Sequence, residues 1–182
     1  MTAISNHVMR TGKHYVTFYV SGKNDVTDPT LDFGVIRPIK DWDKKGLDSF
    51  DAICFVPDHQ KYRKPLLAEK TDEWGDGLHC CIYHSYNGVC FHANWCDEDQ
   101  GQGDGWEGDD WEGMEPVGDI DNFNVGLLLD LNTGTLSVFK DGRMLGVMKE
   151  GLTGAYCWYF CGIDITCDVT IERGNPPATR ND

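Results

Sequence analysis

The chain has 182 residues, 40% hydrophobic and 12% aromatic, with thirty acids against sixteen bases for a formal charge of −14. That is one domain's worth of chain with enough apolar content for a core, and no apolar run reaches the ~18 residues of a membrane span. The acidic balance argues against nucleic acid or an anionic membrane as partner, and the N-terminus lacks the pattern of a secretory leader.

The charge is concentrated. Fifteen acids and no Lys or Arg lie between Lys70 and Lys140, while the other fifteen acids face all sixteen bases. Eight cysteines without a leader or a CxxC pair read as reduced thiols of an intracellular, cytoplasmic protein rather than as a disulfide framework.

In chain order, HYVTFYVSG (14–22) alternates, with Tyr15, Thr17 and Tyr19 on one face and Val16, Phe18 and Val20 on the other. FGVIRP (33–38) is a short strand ended by proline, and DAICFV (51–56) is another. LLAEKTDEW (66–74) is the best helix candidate, one short helix or a loop. HCCIYHSYNGVCFHANW (79–95) contains Asn87-Gly88, a hairpin signal because both turn positions need positive φ. A two-residue turn there pairs Tyr86 with Val89 and Tyr83 with His92, placing His79, Cys81, His92 and Cys96 on one face and Cys80 and His84 on the other. NVGLLLDLNTGTLSVFKDGRMLGVM (124–148) reads as a three-stranded meander whose Asp141-Gly142 turn pairs Val138 with Leu145 and Leu136 with Val147. YCWYFCGIDI (156–165) and CDVTIERG (167–174) supply the last strands, with Trp74 and Trp158 in the core. Short strands joined by Gly, Asn and Asp turns give an all-β class, an antiparallel sandwich or barrel. One domain is expected over 7–174, with a lead at 1–6 and a mobile tail at 175–182.

The order of these motifs resembles a SPRY domain. TGKHYVTFYVSG is followed by FGVIRP and a Trp/Gly-rich middle. Then come a hydrophobic strand ending in Asp (Val125–Asp130), a GTL-x-V strand (Gly134–Val138), the Asp141-Gly142 turn and a Leu-Gly-Val strand (Leu145–Val147). The resemblance implies a bent, concanavalin A-like β-sandwich of two antiparallel sheets. It also implies a non-enzymatic, cofactor-free adaptor that binds a peptide or protein with loops at one edge. Carried over residue by residue, the contact positions are Arg37, Pro38, Asp41 and Trp42 in one loop and Ile163, Asp164 and Ile165 in another.

The residues add a third loop. DEDQGQGDGWEGDDWEGMEP (97–116) holds nine acids, five glycines and two tryptophans, Trp106 and Trp111. A negative loop offering aromatic faces suits a Lys/Arg-rich peptide through steering and cation–π contact, whereas the bland reading is a solvated loop whose indoles cap the sheet edge. An irregular Ca²⁺ site on Asp97, Asp99, Asp104 and Asp109 is the weaker reading, because EF-hand positions 6 and 12 fall on Gln102 and Gly108. Glu107, Asp109 and Glu112 fit E-x-D-x-x-E, resembling the carboxylate motif of jelly-roll β-glucanases. The alternative function is therefore a carbohydrate-binding or β-glucan-hydrolysing sandwich, although a glycine-rich loop holds no fixed carboxyl spacing. His79, Cys81, His92 and Cys96 lack zinc-type spacing and read as core residues, so no metal is expected. Neither a nucleophile elbow nor a phosphate-binding glycine pattern is present. A monomer is expected.

Overall fold

The alternation of residues 14–20 is what builds the interior: Val16, Phe18 and Val20 are buried, while Tyr15, Thr17 and Tyr19 turn outward. The computed structural model describes residues 1–22, 30–47, 52, 65–95, 108–117, 122–163 and 167–177. Its strands are β1 (Thr2–Ile4), β2 (Lys13–Ser21), β3 (Thr30–Ile36), β4 (Cys80–His84), β5 (Cys90–Ala93), β6 (Asn122–Asp130), β7 (Thr135–Lys140), β8 (Arg143–Lys149), β9 (Cys157–Ile163) and β10 (Asp168–Gly174). They form two antiparallel five-stranded sheets, one in the order β1-β9-β3-β4-β5 and the other β10-β2-β6-β7-β8. This is the sandwich expected from the turn chemistry. The expected lead is part of it, because Thr2–Ile4 pair with Tyr159–Cys161 as an edge strand.

Two apolar layers hold the sheets. Between them Phe18, Phe33, Phe123, Leu127, Leu136, Val138, Trp158 and Phe160 interlock, with Phe33 meeting Phe18, Phe123 and Phe160 at centroid distances of 5.1, 6.3 and 5.5 Å. The outer face of the first sheet is covered as well. Ile39, Leu47, Ala52, Leu66, Trp74 and Trp95 pack on Ile36, Cys80, Ile82, Phe91, Cys157 and Tyr159. The described residues of the β3–β4 connection, joined by Trp95, therefore form a third layer, anchored where the Ala52 N–H donates to the Tyr159 hydroxyl at 3.0 Å. Trp74 and Trp158 are core residues as expected. The helix candidate reduces to a helical turn at 65–67 and a 3-10 turn at Asp72–Trp74. Of the expected strand at 51–56, only Ala52 is among the described residues.

Two registers differ from the sequence reading. Tyr83 pairs with Cys90 and Cys81 with His92, a shift of two residues. The β4–β5 connection is a longer turn, with the His84 N–H donating to the Val89 carbonyl and the Gly88 N–H to the His84 carbonyl, and Gly88 taking φ +79°. The shift is even, so faces are preserved. At the β7–β8 turn Asp141 and Gly142 adopt the expected positive φ, 49° and 79°. Register shifts then displace the ladder so that Val138 meets Gly146 and Ser137 meets Val147. The two expected apolar pairs do not form, because bulges absorb residues along β8.

Candidate functional site

Strand register decides which loops share a surface. Ile36 pairs with both Cys80 and Cys157, so the loop after β3, the start of β4 and the start of β9 lie at one end of the sandwich. Thr30 pairs with Ile163 and Asp32 with His84, which puts the end of β9 and the β4–β5 turn at the opposite end. A seven-residue strand separates the two by about 20 Å. The expected contact set is therefore split: Arg37, Pro38, Asp41 and Trp42 sit at the first end, and Ile163 closes β9 at the second. Asp164, Ile165 and Trp106 lie outside the described residues.

At the first end Arg37 is wholly buried, facing inward rather than presenting its side chain to a partner. Its Nη1 donates to the carbonyls of Thr153 at 2.7 Å and Ala155 at 3.1 Å, and the guanidinium lies 4.1 Å from the Tyr156 ring centroid. Its Nε and Nη2 are buried without a hydrogen-bond partner among the described residues. Pro38 is half-buried, and Trp42 is half-buried against the outer apolar layer, while Asp41 is exposed and held by Lys44 at 3.0 Å. The Lys44 hydrogen bond lowers the Asp41 carboxyl below its ordinary range. His79 is wedged between Trp74 and Trp95 and accepts the Trp95 N–H on Nδ1 at 2.7 Å.

Burial, then the charges of Arg37 and Lys70, lower the His79 imidazole from its ordinary 6.5 to about 4. Its folded value lies below the unfolded one, so the unfolded chain takes up the proton first. Stability is expected to fall as pH drops from about 6.5 to about 4. Urea titrations across that window should show the slope, and a His79→Gln variant should lose it; an unchanged slope would assign acid sensitivity to other groups.

The second end is organised by residues 108–117. Asp109 makes two backbone hydrogen bonds with Cys90, at 2.8 and 3.0 Å, extending the first sheet beyond β5. The chain then crosses to the other sheet: a Cβ on Gly113 would lie 2.1 Å from the Leu145 carbonyl oxygen, so only glycine allows that approach. Glu115 carries it back to the β4–β5 turn, where its carbonyl accepts the Tyr83 hydroxyl at 2.5 Å and the Val117 N–H donates to Ser85. Residues 108–117 thus strap the β5 edge to the β8 edge. Trp111 is the plug beneath the strap, half-buried against the main core with its Nε1–H donated to the Gly88 carbonyl at 2.8 Å. The sheet-edge cap weighed for the indoles is what Trp111 supplies.

Two acids of this segment are already neutralised. Glu115 bonds Lys140 at 2.8 Å and Arg143 at 2.5 Å, and these hydrogen bonds lower its carboxyl. Asp109 is lowered first by the His92 hydrogen bond at 2.7 Å, aided by Lys149 at 3.2 Å. Asp109, held by His92 and Lys149, is poorly placed as nucleophile or acid in the E-x-D-x-x-E reading; Glu107 lies outside the described residues. Asp110 and Glu112 remain exposed. Beneath the turn, Asp32 and His84 pair at 2.6 Å.

Among these charges the second end also presents apolar side chains outward. Tyr86 is 57% exposed, Met144 39% and Met114 37%. Gly113 lies on Leu145 and Glu115 pairs with Arg143, which sets the strap against β8, and Gly88 packs on Glu115, which brings the β4–β5 turn to the same strap. None of the three stands out in the sequence. The signal available was the Asn87-Gly88 turn, which raises Tyr86 to its tip.

The described histidines and cysteines do not converge on one point. His92 is on Asp109, His79 is between tryptophans, and Cys81 points at Cys90 with sulfurs 3.7 Å apart. Among the described residues no three His, Cys, Asp or Glu side chains gather as a metal site needs. Burial pushes the Cys157 thiol up to about 12, and the Cys90 hydrogen bond together with burial raises that of Cys81, so both stay protonated and unreactive.

Neither a family model nor a curated protein matches the sequence. Solved structures do match. The crystal structure of the SPRY domain of human HERC1 superposes with a TM-score of 0.54 at 14% identity, covering 96% of this chain and 81% of that one. Two five-stranded antiparallel sheets in this order, with that likeness spanning nearly the whole chain, give the protein the β-sandwich fold of a SPRY domain.

Proposed function

We propose that the chain is a non-enzymatic recognition module that binds a protein or peptide segment at the end of the sandwich built by the β4–β5 turn and the 108–117 strap. The observation that carries the reading is the exposed Tyr86, Met114 and Met144 on a backbone fixed at both sheet edges. Tyrosine and methionine are enriched at binding interfaces, and a rigid platform lowers the ordering cost of association. The SPRY fold supports the same class of function by analogy alone. The acids of 97–112 would steer a Lys/Arg-bearing partner, whose apolar residues would then seat on the methionines.

Affinity capture with the wild-type chain and a Tyr86→Ala/Met114→Ala variant tests it, followed by titration of whatever partner depends on those residues. The variant should weaken that partner by about tenfold or more, and raising salt should slow its association. Binding that survives the double substitution but is lost in Asp41→Ala/Trp42→Ala would move the site to the opposite end. Binding indifferent to ionic strength would remove the basic partner.

A further inference from the structure

The four edge strands of the sandwich are not treated alike. β1 is three residues long. The β5 edge is taken by the Cys90–Asp109 bridge. The β8 edge is crossed by residues 112 and 113 and broken by register shifts. Each of these blunts the tendency of an open edge to recruit another strand. Among the described residues β10 has no such device. Its seven residues pair with β2 in unbroken register from Asp168↔Ser21 to Gly174↔Tyr15, without bulge, proline or lysine. Among the described residues no backbone group outside β2 bonds to it. At its centre Ile171 is 46% exposed, on the same face as Phe18 of the core.

We propose that the free edge of β10 pairs antiparallel with β10 of a second copy of this chain, joining the two Tyr-bearing sheets into one continuous sheet across a two-fold axis. The sequence of the strand selects both the partner and the register. Centred on Ile171, the pairing sets Ile171 against its own counterpart, Val169 opposite Arg173, Thr170 opposite Glu172 and Asp168 opposite Gly174. No two like charges face one another directly. Moving the centre to Thr170 would oppose Asp168 with Glu172, and moving it to Glu172 would oppose that acid with itself. An odd shift would turn the apolar face of one copy to the solvent face of the other. In the favoured register Val169 and Ile171 of both copies form one apolar row, closed at each end by an Arg173 stem.

Electrostatics give the association a sign of its own. Each copy carries −14, and Asp168 lies diagonal to Glu172 of the second copy, so salt should strengthen the dimer. Partner binding at the acidic strap should weaken under the same change, which keeps the two readings separable.

Sedimentation of the full chain from low micromolar to near-millimolar concentration is the test. The mass should rise from 20.5 kDa toward twice that value, more readily at high salt. Ile171→Lys should remain monomeric with an unchanged circular dichroism spectrum. Thr170→Lys, which sets a cation opposite Glu172 twice per dimer, should tighten association by about threefold or more; this gain carries the test if Ile171→Lys fails to fold. A wild-type chain that stays monomeric throughout overturns the proposal, as does an Ile171→Lys chain that dimerises equally well. Open-ended aggregation in place of a closed dimer also overturns it.

Discussion

Replacing Arg37 with alanine is expected to cost about 3 kcal/mol of folding stability, a large share of the 5–15 kcal/mol typical of a domain. The side chain is wholly buried and satisfies the carbonyls of Thr153 and Ala155, tying the loop before β9 to the loop after β3. Removal leaves those carbonyls without their donor, opens a cavity beside the Tyr156 ring and ends the cation–π contact. Part of the loss is offset, because burial already lowers the basicity of the guanidinium and two of its donor atoms have no partner among the described residues. Arg37→Lys should not rescue, since an ammonium can neither stack on the ring nor hold the planar fork geometry. Urea denaturation at neutral pH measures this; a loss under about 1 kcal/mol in the alanine variant would show that the clamp is dispensable.

Gly34→Ala is expected to be at least as damaging, about 3 kcal/mol or more, with most of the expressed chain insoluble. A Cβ there would lie 2.2 Å from the Cys81 carbonyl oxygen and 2.8 Å from the Ile82 Cα. Both are backbone atoms, so no rotamer change relieves the clash. β3 is the central strand of its sheet, bonded to β9 and β4, and moving it away from one neighbour forces it into the other. The comparison is Gly174→Ala, at a glycine with no atom within 4 Å of the added Cβ and no positive φ, where a change of at most about 0.5 kcal/mol is expected. Thermal melts of the two variants side by side give the answer, and equal melting temperatures would mean that β3 can shift after all.

How much of this was legible depends on how local the determinant is. The two faces of β2 follow from alternation, and the positive φ of Asp141 and Gly142 follows from residue type, so both could be read in advance. The register beyond each turn could not. Whether β4–β5 closes in two residues or more depends on Glu115 packing against Gly88, a contact from a distant part of the chain. Arg37 shows the same limit more sharply. Next to a proline in a loop it reads as a surface cation, and only the carbonyls of residues 153 and 155 reveal it as an internal clamp. The candidate site divided for a geometric reason: loops that follow β3 and β9 exit from opposite ends because those strands run antiparallel side by side. Trp111 was legible as an aromatic in an acidic loop, but its burial comes from the Gly113 crossing onto β8.

The order of strands in the sheets carries a consequence for how the chain is made. β1 needs residues 159–161 as its partner, while β3 and β2 can add their second neighbours only when residues 157–163 and 168–174 have emerged. During synthesis the first three strands, with Phe18, Leu31, Phe33 and Val35 among them, therefore wait nearly the whole length of the chain before either sheet can close. Folding is then dominated by distant pairings, which sets its pace in the millisecond-to-second range, and the nascent chain relies on β6, β7 and β8, a meander of neighbours, as the part able to order first.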